Sequence, residues 1–435
     1  MNEAYCITAE KLARRGRSQV PEELVSSAHL IYSSPATLAF NSPGAQGFGV
    51  KRAGLAIPGS VMLLVSPGCC GRNTAMLGGP GGYGERFFYM LMDDTDIVTG
   101  RHLTKIPDAV REICEECAKT PSAVVICITC VDALLGTDME PVCRKASEQA
   151  GVPVIPCYMY ALTREGRLPP MAAVRRAVYS LLRPAEREPD AVNILGYFAP
   201  LIDGCELYAL LRQAGVRRIR EISRCGSFDE YLKMARANFN LVLNPEARYA
   251  AQAMQKNLNI PGVELTRMYQ LDKISNQYRL FGRAVGAAFD DRRYYGEAAA
   301  AVEKFRRKHG GATFAVGEIL NADPFELSLA LIRYGLAVSE IYGTVGDANF
   351  PYIKKIAALS PQTKIYSNLS PTMLYYDESD SDVDAVVGVD AAYYHPGRAG
   401  VGWNGERQPF GYAGVKALFE SLDAALDHAE FRREP

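Results

Sequence analysis

The chain has 435 residues, of which 48% are hydrophobic and 22% are charged, and its net charge is −1. This composition is typical of a globular protein with about two to four domains, and it offers no basic face for a nucleic-acid partner. No apolar run reaches the ~18–20 residues of a membrane span. The N-terminus has no basic region followed by an apolar one, so we expect no secretory signal. Eleven cysteines without such a signal indicate reduced thiols. We therefore expect a cytoplasmic protein with neither a membrane nor a nucleic-acid partner.

Strand and helix patterns alternate through the first third of the chain. A short apolar run ends abruptly at Pro67 and Gly68, and the adjacent thiols of Cys69 and Cys70 follow. Continuous apolar runs of this length are typical of strands buried on both faces of a parallel sheet. In chain order the sequence predicts a strand at 60–65, a helix at 106–117, a strand at 123–129, a helix from the Thr137–Glu140 capping box to about 151, and a strand at 152–157.

The alternation begins again twice after a polar segment with two prolines at 183–190. The predicted strands of the second region are 192–198, 218–223 and 238–243, and those of the third are 312–319, 336–342, 363–367 and 384–389. Predicted helices follow at 205–214, from 246, at 269–309, 323–334 and 413–428. Such a pattern indicates an α/β protein with parallel sheets. We predict three Rossmann-like domains with mostly parallel sheets: 1–186 with an N-terminal extension, 187–310, and 311–435.

Three cysteines are the strongest candidate ligands. Cys69, Cys70 and Cys130 lie at predicted carboxyl ends of strands, where α/β proteins bind ligands. Thiolates on irregular backbone with nearby amide N–H groups are what an iron–sulfur cluster requires. A four-cysteine zinc site is disfavoured, because Cys114 and Cys117 follow the apolar stripe of a helix. Cys127 and Cys130 would lie on opposite faces of a strand, about 10 Å apart.

The other motifs carry weaker signals. Gly79–Gly84 matches G-x-G-x-x-G but neither follows a strand directly nor opens a helix, and the chain has no P-loop motif. We therefore expect this chain to bind no nucleotide. His395 has the sequence context of a turn histidine, with a role as a ligand or an acid/base as the alternative. The acidic run 377–384 is most simply a solvated loop.

Several motifs resemble the nitrogenase component 1 superfamily, which includes nitrogenase α and β subunits, cofactor-assembly scaffolds and nitrogenase-like reductases. They are Pro67–Gly71, Thr95–Gly100, Thr129–Glu140 and Val152–Pro156, with Trp403–Gly414 near the end. The resemblance implies a nitrogenase component-1-like fold over most of the chain.

The resemblance also implies roles for particular residues. Cys70 and Cys130 match cluster cysteines of the family, whereas Ala45 occupies the position of an earlier cluster cysteine, which Cys69 could replace. A 4Fe–4S cluster is therefore expected, with a larger P-cluster-like cluster as the alternative. Asn244 and Val401 occupy the positions of the cysteine and histidine that hold the nitrogenase active-site cofactor. These side chains do not replace a thiolate or an imidazole, so dinitrogen reduction is disfavoured.

From the resemblance we expect the catalytic, cluster-carrying component of a nitrogenase-like reductase, an oxidoreductase subunit active under anaerobic conditions. It would receive low-potential electrons from a nitrogenase-reductase-like ATPase and pass them to an unidentified substrate. It would pair with itself or with a related component 1 subunit, as a homodimer, heterodimer or heterotetramer. The alternatives are a scaffold for metal-cluster or cofactor assembly and a three-domain small-molecule binding protein.

Overall fold

The computed structural model describes residues 3–25, 34–36, 54–68, 84–128, 130–158, 168–428 and 431–432. The chain divides into two compact units. One contains Met1–Ser42, Ala199–Gly215 and Arg267–Pro435, and the other contains Pro43–Phe198 and Val216–Thr266. The described residues form three β-sheets, two in the second of these units and one in the first.

The first sheet contains four parallel strands in the order β3-β2-β4-β5. These strands are β2 (Val61–Ser66), β3 (Phe87–Leu91), β4 (Val124–Ile128) and β5 (Val154–Tyr158). Alternate side chains of β2 enter two different cores: Val61, Leu63 and Val65 lie in one, and Met62 and Leu64 lie in the other. Because both faces of the sheet are covered, the strand is apolar at nearly every position.

The second sheet also has four parallel strands, in the order β7-β6-β8-β9. These strands are β6 (Glu188–Leu195), β7 (Arg218–Glu221), β8 (Ala237–Val242) and β9 (Gly262–Glu264). The helices assigned to the same unit are α2 (Asp94–Thr99), α3 (His102–Glu116), α4 (Cys130–Leu135), α5 (Glu140–Ala150), α6 (Pro170–Val178), α8 (Phe228–Leu232) and α9 (Arg248–Leu258).

The third sheet lies in the other unit and has the order β1-β12-β11-β10-β13-β14-β15. Only the pairing of β1 with β12 is antiparallel among its described strands. The strands are β1 (Ile7–Thr8), β10 (Thr313–Val316), β11 (Ala337–Tyr342), β12 (Lys364–Tyr366), β13 (Ala385–Val387), β14 (Ala399–Val401) and β15 (Phe431–Arg432).

Helices of the same unit cover this sheet and complete its α/β alternation. They are α1 (Ala9–Arg15), α7 (Glu206–Gln213), α10 (Leu271–Val285), α11 (Arg292–His309), α12 (Pro324–Arg333), α13 (Phe350–Leu359), α14 (Val389–Tyr394) and α15 (Gly411–Asp427). The α/β class with mostly parallel sheets is thus confirmed. The division into three domains stays a prediction.

One local prediction is wrong. The Thr137–Glu140 capping box does not start a helix at Thr137, because α5 begins at Glu140 and Met139 precedes it without a side-chain cap. The backbone N–H of Thr137 instead donates to the carbonyl oxygen of Asp132. The side chain of Asp138 accepts from the N–H of Glu140 at 3.1 Å. Local hydrogen bonds of the preceding turn therefore replace the capping box.

Candidate functional site

The carboxyl edge of the first sheet holds the segments with the predicted cluster cysteines. Strands β2 and β4 are parallel neighbours, with Val65 opposite Ile128. Strand β2 ends at Ser66 and continues into Pro67 and Gly68, whereas α4 begins at Cys130, two residues after β4. Both segments therefore leave the sheet at the same edge.

For the three predicted cluster cysteines, the structure gives the order of the strands that carry them and no side-chain geometry. Cys69 and Cys70 lie outside the described residues, as do Gly79–Tyr83 of the glycine motif and Ala45. Of Cys130 the structure describes the backbone position at the start of α4. Cys69, Cys70 and Cys130 thus stay predicted cluster ligands. The backbone arrangement fits such a cluster, because a helix begins at Cys130 and helix starts present free amide N–H groups.

Helix α4 is anchored by a buried pair that sequence analysis missed. His102 Nε2 lies 2.9 Å from Asp132 Oδ1, and its Nδ1 lies 3.0 Å from the carbonyl oxygen of Asp96. A carbonyl can only accept, so Nδ1 carries a hydrogen, and the contact with Asp132 shares one further proton. Both side chains are at most 1% exposed. No sequence signal links two residues that are thirty positions apart.

A second carboxylate supports this pair. Asp93 and Asp96 form a capping box at the start of α2. The Asp96 side chain also accepts from Arg101 Nε at 2.8 Å and from Lys105 Nζ at 2.8 Å. The Lys105 ammonium and the Arg101 guanidinium hold the pKa of Asp96 well below its usual range. This network fixes the carbonyl of Asp96 that accepts from His102.

Asp132 Oδ2 is buried and finds no hydrogen-bond partner within the described ranges. Buried carboxylate oxygens are rarely left without a donor. Since Asp132 lies only two residues after Cys130 in the chain, its second oxygen is available to a donor at the cysteine-bearing edge. The side chain thus anchors α4 through Oδ1 and keeps Oδ2 as a buried acceptor.

The remaining cysteines of the first sheet region lie in apolar surroundings. Cys114 lies in α3 and Cys117 directly follows it. Both are partly buried against the core, and burial raises the pKa of each thiol. Cys127 is buried beside Cys157, and its hydrogen bond with Cys157 together with burial raises its pKa. The thiols of Cys114, Cys117 and Cys127 are therefore protonated at neutral pH, whereas metal ligands must be thiolates.

The two positions compared with the nitrogenase cofactor ligands have other roles. Asn244 follows β8, and its Oδ1 accepts from the N–H of Glu246 at 3.0 Å, which caps the turn Pro245–Ala247. A Cβ on neighbouring Gly196 would lie 2.7 Å from the Asn244 nitrogen, so the strand end is closely packed. Val401 is buried within β14. Neither position provides a thiolate or an imidazole.

His395 differs from the predicted turn histidine. It directly follows α14 and is 1% exposed, and its Nε2 contacts a carboxylate and two phenols from other parts of the same unit. A buried polar cluster rather than a solvated turn therefore surrounds this residue.

Residues 45–427 match the family model described as nitrogenase component 1 type oxidoreductase. The chain belongs to this family. Membership implies an iron–sulfur type of cofactor. Within the described residues, no helix is long and apolar enough to cross a membrane.

Several relatives share the name nitrogenase iron-molybdenum cofactor biosynthesis protein NifE. The protein from Sinorhizobium fredii is 26% identical over 372 residues, which cover 79% of this chain and 73% of that protein. The protein from Nostoc is 26% identical over 257 residues, which cover 55% of this chain. The matched part spans about half of the Nostoc protein (52%). A third, from Rhizobium meliloti, is 34% identical over 125 residues, covering 28% of this chain and 26% of that protein.

A solved structure titled "Nitrogenase Cp1 at pH 6.5" has a similar fold. The TM-score is 0.66, and the match covers 94% of this chain and 96% of that chain at 15% identity. At this identity the similarity concerns the fold alone. The component-1-like fold that the motifs implied is therefore confirmed. The names of the relatives support the assembly alternative better than the reductase interpretation.

Proposed function

We propose that this component 1 type protein is a scaffold on which a nitrogenase-type metal cofactor is assembled. It holds an iron–sulfur cluster through Cys70, Cys130 and Cys69 and works together with a related subunit. Relatives named for iron-molybdenum cofactor biosynthesis support this assignment. The reductase interpretation remains the second candidate, because the family description names an oxidoreductase.

One observation carries the proposal. The segments that lead to Cys69 and Cys70 and that begin at Cys130 leave neighbouring parallel strands at one edge. In contrast, the two positions compared with the nitrogenase cofactor ligands are an amide that caps a turn and an aliphatic side chain inside a sheet. A chain of this kind can hold a cluster at its edge without fixing an active-site cofactor as nitrogenase does.

The protein's own residues contribute position and hydrogen bonding. The pair of His102 and Asp132 fixes α4, at whose first residue the Cys130 ligand lies. The free amide N–H groups at the start of a helix stabilise negative charge on nearby sulfur. When bound, the cluster supplies a store for electrons.

Four exposed apolar side chains support the assignment of a related subunit as the partner. Leu91 is 58% exposed, Val98 85%, Leu134 61% and Leu135 52%. Leu91 ends β3, Val98 lies in α2, and both leucines of α4 follow β4, so all four belong to segments at or after the carboxyl ends of first-sheet strands. Large apolar side chains that are exposed at one edge of a sheet are candidates for protein–protein contacts. A related subunit docked there would shield the cysteine-bearing edge from water.

The decisive experiment separates assembly from catalysis. The full chain is produced anaerobically with its related subunit and is incubated with a nitrogenase that lacks its active-site cofactor. We expect the recipient nitrogenase to gain substrate-reducing activity, and we expect no substrate reduction by this protein with an ATP-dependent reductase. Turnover with the reductase, without activation of the recipient, would instead establish the reductase interpretation.

Cysteine variants test the cluster ligands separately. Cys70→Ala and Cys130→Ala should each lose most of the bound iron, together with the electron paramagnetic resonance (EPR) signal after dithionite reduction. Cys114→Ala is the matched control, because its thiol lies on the core side of α3. If Cys114→Ala loses iron and Cys130→Ala keeps it, the ligand assignment is wrong.

A further inference from the structure

Four donor atoms converge inside the unit that contains the third sheet. Glu340 and Tyr342 lie on β11, Tyr376 follows the turn Pro371–Tyr375, and His395 follows α14. Glu340 Oε2 accepts from the hydroxyls of Tyr342 and Tyr376 at 2.8 Å each. His395 Nε2 lies 3.1 Å from each hydroxyl and from the same carboxylate oxygen.

The four atoms form the corners of a compact tetrahedron. Five of the six edges measure 2.8–3.1 Å, and the sixth joins the two phenol oxygens. In a regular tetrahedron with edges of 2.8–3.1 Å, the centre lies about 1.8 Å from each corner. Metal–oxygen and metal–nitrogen distances in four-coordinate sites are about 2.0–2.2 Å. An outward shift of a few tenths of an ångström at each ligand would thus admit one metal ion.

We propose that Glu340, Tyr342, Tyr376 and His395 form a binding site for a single ferric ion. One carboxylate and two phenolates carry three negative charges, which balance the charge of Fe³⁺ and leave a neutral buried site. Neutrality matters because the cost of burying an uncompensated charge is large. A divalent ion would leave one negative charge in this environment. Imidazole, carboxylate and phenolate are all established types of iron ligand.

The proton balance of binding is defined by the hydrogen bonds. Burial raises the pKa of both phenols, so their hydroxyls are protonated without the metal. Hydrogen bonds from His395, Tyr342 and Tyr376 outweigh the effect of burial and lower the pKa of Glu340, so its carboxylate is ionised. Binding therefore breaks two O–H bonds, forms four bonds to iron and releases two protons to solvent. Without the metal, the Nε2–H of His395 donates to Glu340. On binding, this proton moves to Nδ1, and the Nε2 lone pair becomes available to the metal.

The surroundings hold these ligands in place. Ser381 Oγ donates to Glu340 Oε1 at 2.9 Å and leaves Oε2 for the centre of the tetrahedron. The ring of Tyr342 stacks on Tyr366 and Tyr394, with centroids 5.4 and 5.0 Å apart. Hydrogen-bonded and packed ligands of this kind lose little freedom when a metal binds.

The acidic run 377–384 provides an entrance with the right charge. It begins directly after Tyr376 and includes Ser381, and both of these residues are partly exposed. Asp377, Glu378, Asp380 and Asp382 are exposed beside them. A cluster of negative charge raises the local concentration of cations. The acidic run 377–384, which the sequence predicts as a solvated loop, thus lies beside the partly exposed ligand Tyr376, where a cation would approach the site.

The test uses the full chain titrated with Fe³⁺ as its nitrilotriacetate complex. We expect one ferric ion per chain, a visible charge-transfer band from phenolate to iron, and the EPR signal of isolated high-spin Fe³⁺, which an iron–sulfur cluster does not give. Tyr342→Phe/Tyr376→Phe should lose the band and the signal. Tyr376→Phe alone should weaken the band and the affinity, and its partly exposed position favours normal folding.

Two controls make the outcome specific. Tyr394→Phe should keep both signals, because the Tyr394 hydroxyl donates to Asn368 Oδ1 at 3.2 Å and is not one of the four proposed ligands. Cys70→Ala also keeps them, so this site is tested independently of the proposed scaffold function. Absence of the band in the wild-type chain, an unchanged band in Tyr342→Phe/Tyr376→Phe, or binding of Zn²⁺ but not of Fe³⁺ would each overturn the proposal. The four residues would then be a purely structural hydrogen-bonded cluster.

Discussion

Glu326 should make the stability of its unit depend on pH near neutrality. This carboxyl belongs to the first turn of α12 and is 1% exposed. It accepts from the N–H of Tyr269 and from Gln270 Nε2, each at 2.9 Å. Burial outweighs these hydrogen bonds and, with the nearby Asp323 carboxylate, raises the pKa of Glu326 to about 7.

The sign and size of the effect follow from linkage. The folded state binds this proton more tightly than the unfolded chain, whose glutamate has a pKa near 4.5. The resulting stability is fully present below about pH 4.5 and is lost as the pH rises through about 7. A difference of about 2.5 pKa units corresponds to about 3 kcal/mol, of which about 2–3 kcal/mol falls between pH 5 and pH 8.

The natural probe is Trp403, the only tryptophan of the chain. It is buried, and its Nε1 donates at 2.6 Å to the hydroxyl of Tyr269, the residue whose N–H meets Glu326. Urea unfolding followed by its fluorescence compares the wild type with Glu326→Gln at pH 5 and pH 8. The stability of the wild type relative to the variant should fall by about 2–3 kcal/mol between these pH values. Any cost in stability of replacing the carboxyl by an amide that does not depend on pH is the same at pH 5 and pH 8, so it cancels in this comparison.

Glu303→Gln is the matched control, because its side chain on α11 is 49% exposed. Its relative stability should change by less than about 0.5 kcal/mol between the two pH values. A wild-type advantage over Glu326→Gln that stays constant or grows with pH would refute the reasoning. The carboxylate would then already be ionised in the folded protein at pH 5.

Three further variants test buried contacts. Gly317→Ala should destabilise its unit by about 1–3 kcal/mol in the urea unfolding assay followed by Trp403 fluorescence, because the new Cβ would lie 2.0 Å from Asp390 Oδ1. Gly311→Ala is the control, because a Cβ on Gly311 would meet open space. Glu206→Ala should lower the stability by at least about 3 kcal/mol in that assay. The N–H groups of Tyr412 and Ala413 and the hydroxyl of Tyr278 would lose their acceptor. Glu420 is exposed, so Glu420→Ala should leave the stability nearly unchanged. Asp132→Ala and His102→Ala should show a coupling of about 1–3 kcal/mol by hydrogen exchange of α3 and α4; additive effects would contradict a direct bond.

Sequence patterns identified the elements whose burial is regular. The apolar run of β2 predicts a strand covered on both faces, and the structure places alternate side chains in two cores. The closing helix, predicted at 413–428, is found at Gly411–Asp427. In both cases the hydrophobic pattern lies within one continuous segment, so the element can be predicted without knowing its contacts with distant residues.

Elements that depend on tertiary pairing were missed. Strand β3 (Phe87–Leu91) shows no alternation, and its hydrogen bonds to β2 make it a strand. Strand β1 (Ile7–Thr8) has only two residues and exists because it pairs with β12, more than 350 positions later in the chain. The same limit applies to the contacts of His102 with Asp132 and of Glu340 with His395. The cysteine segments were predictable, because carboxyl ends of parallel strands share one edge.

The buried carboxylates of this unit differ in the groups that donate hydrogen bonds to them. These donors decide which carboxylate can belong to a metal site. Asp390 accepts from the N–H groups of Glu318 and Ile319 and from Asn368 Nδ2, and Glu206 accepts from two N–H groups at the start of α15. A backbone N–H is a much weaker acid than a phenol, so it gives up its proton to a metal far less readily.

His309, Asp423 and Asp427 do offer three ligand atoms close together. Lys304 Nζ donates to Asp423 at 2.6 Å, and Lys308 contacts both carboxylates. The ammonium of Lys304 above all holds the pKa of Asp423 at about 2. A cation would have to displace two ammonium groups that already supply the positive charge. Around Glu340, by contrast, the donors are two phenols and an imidazole, and each of them becomes a ligand when its proton leaves or moves to the other ring nitrogen.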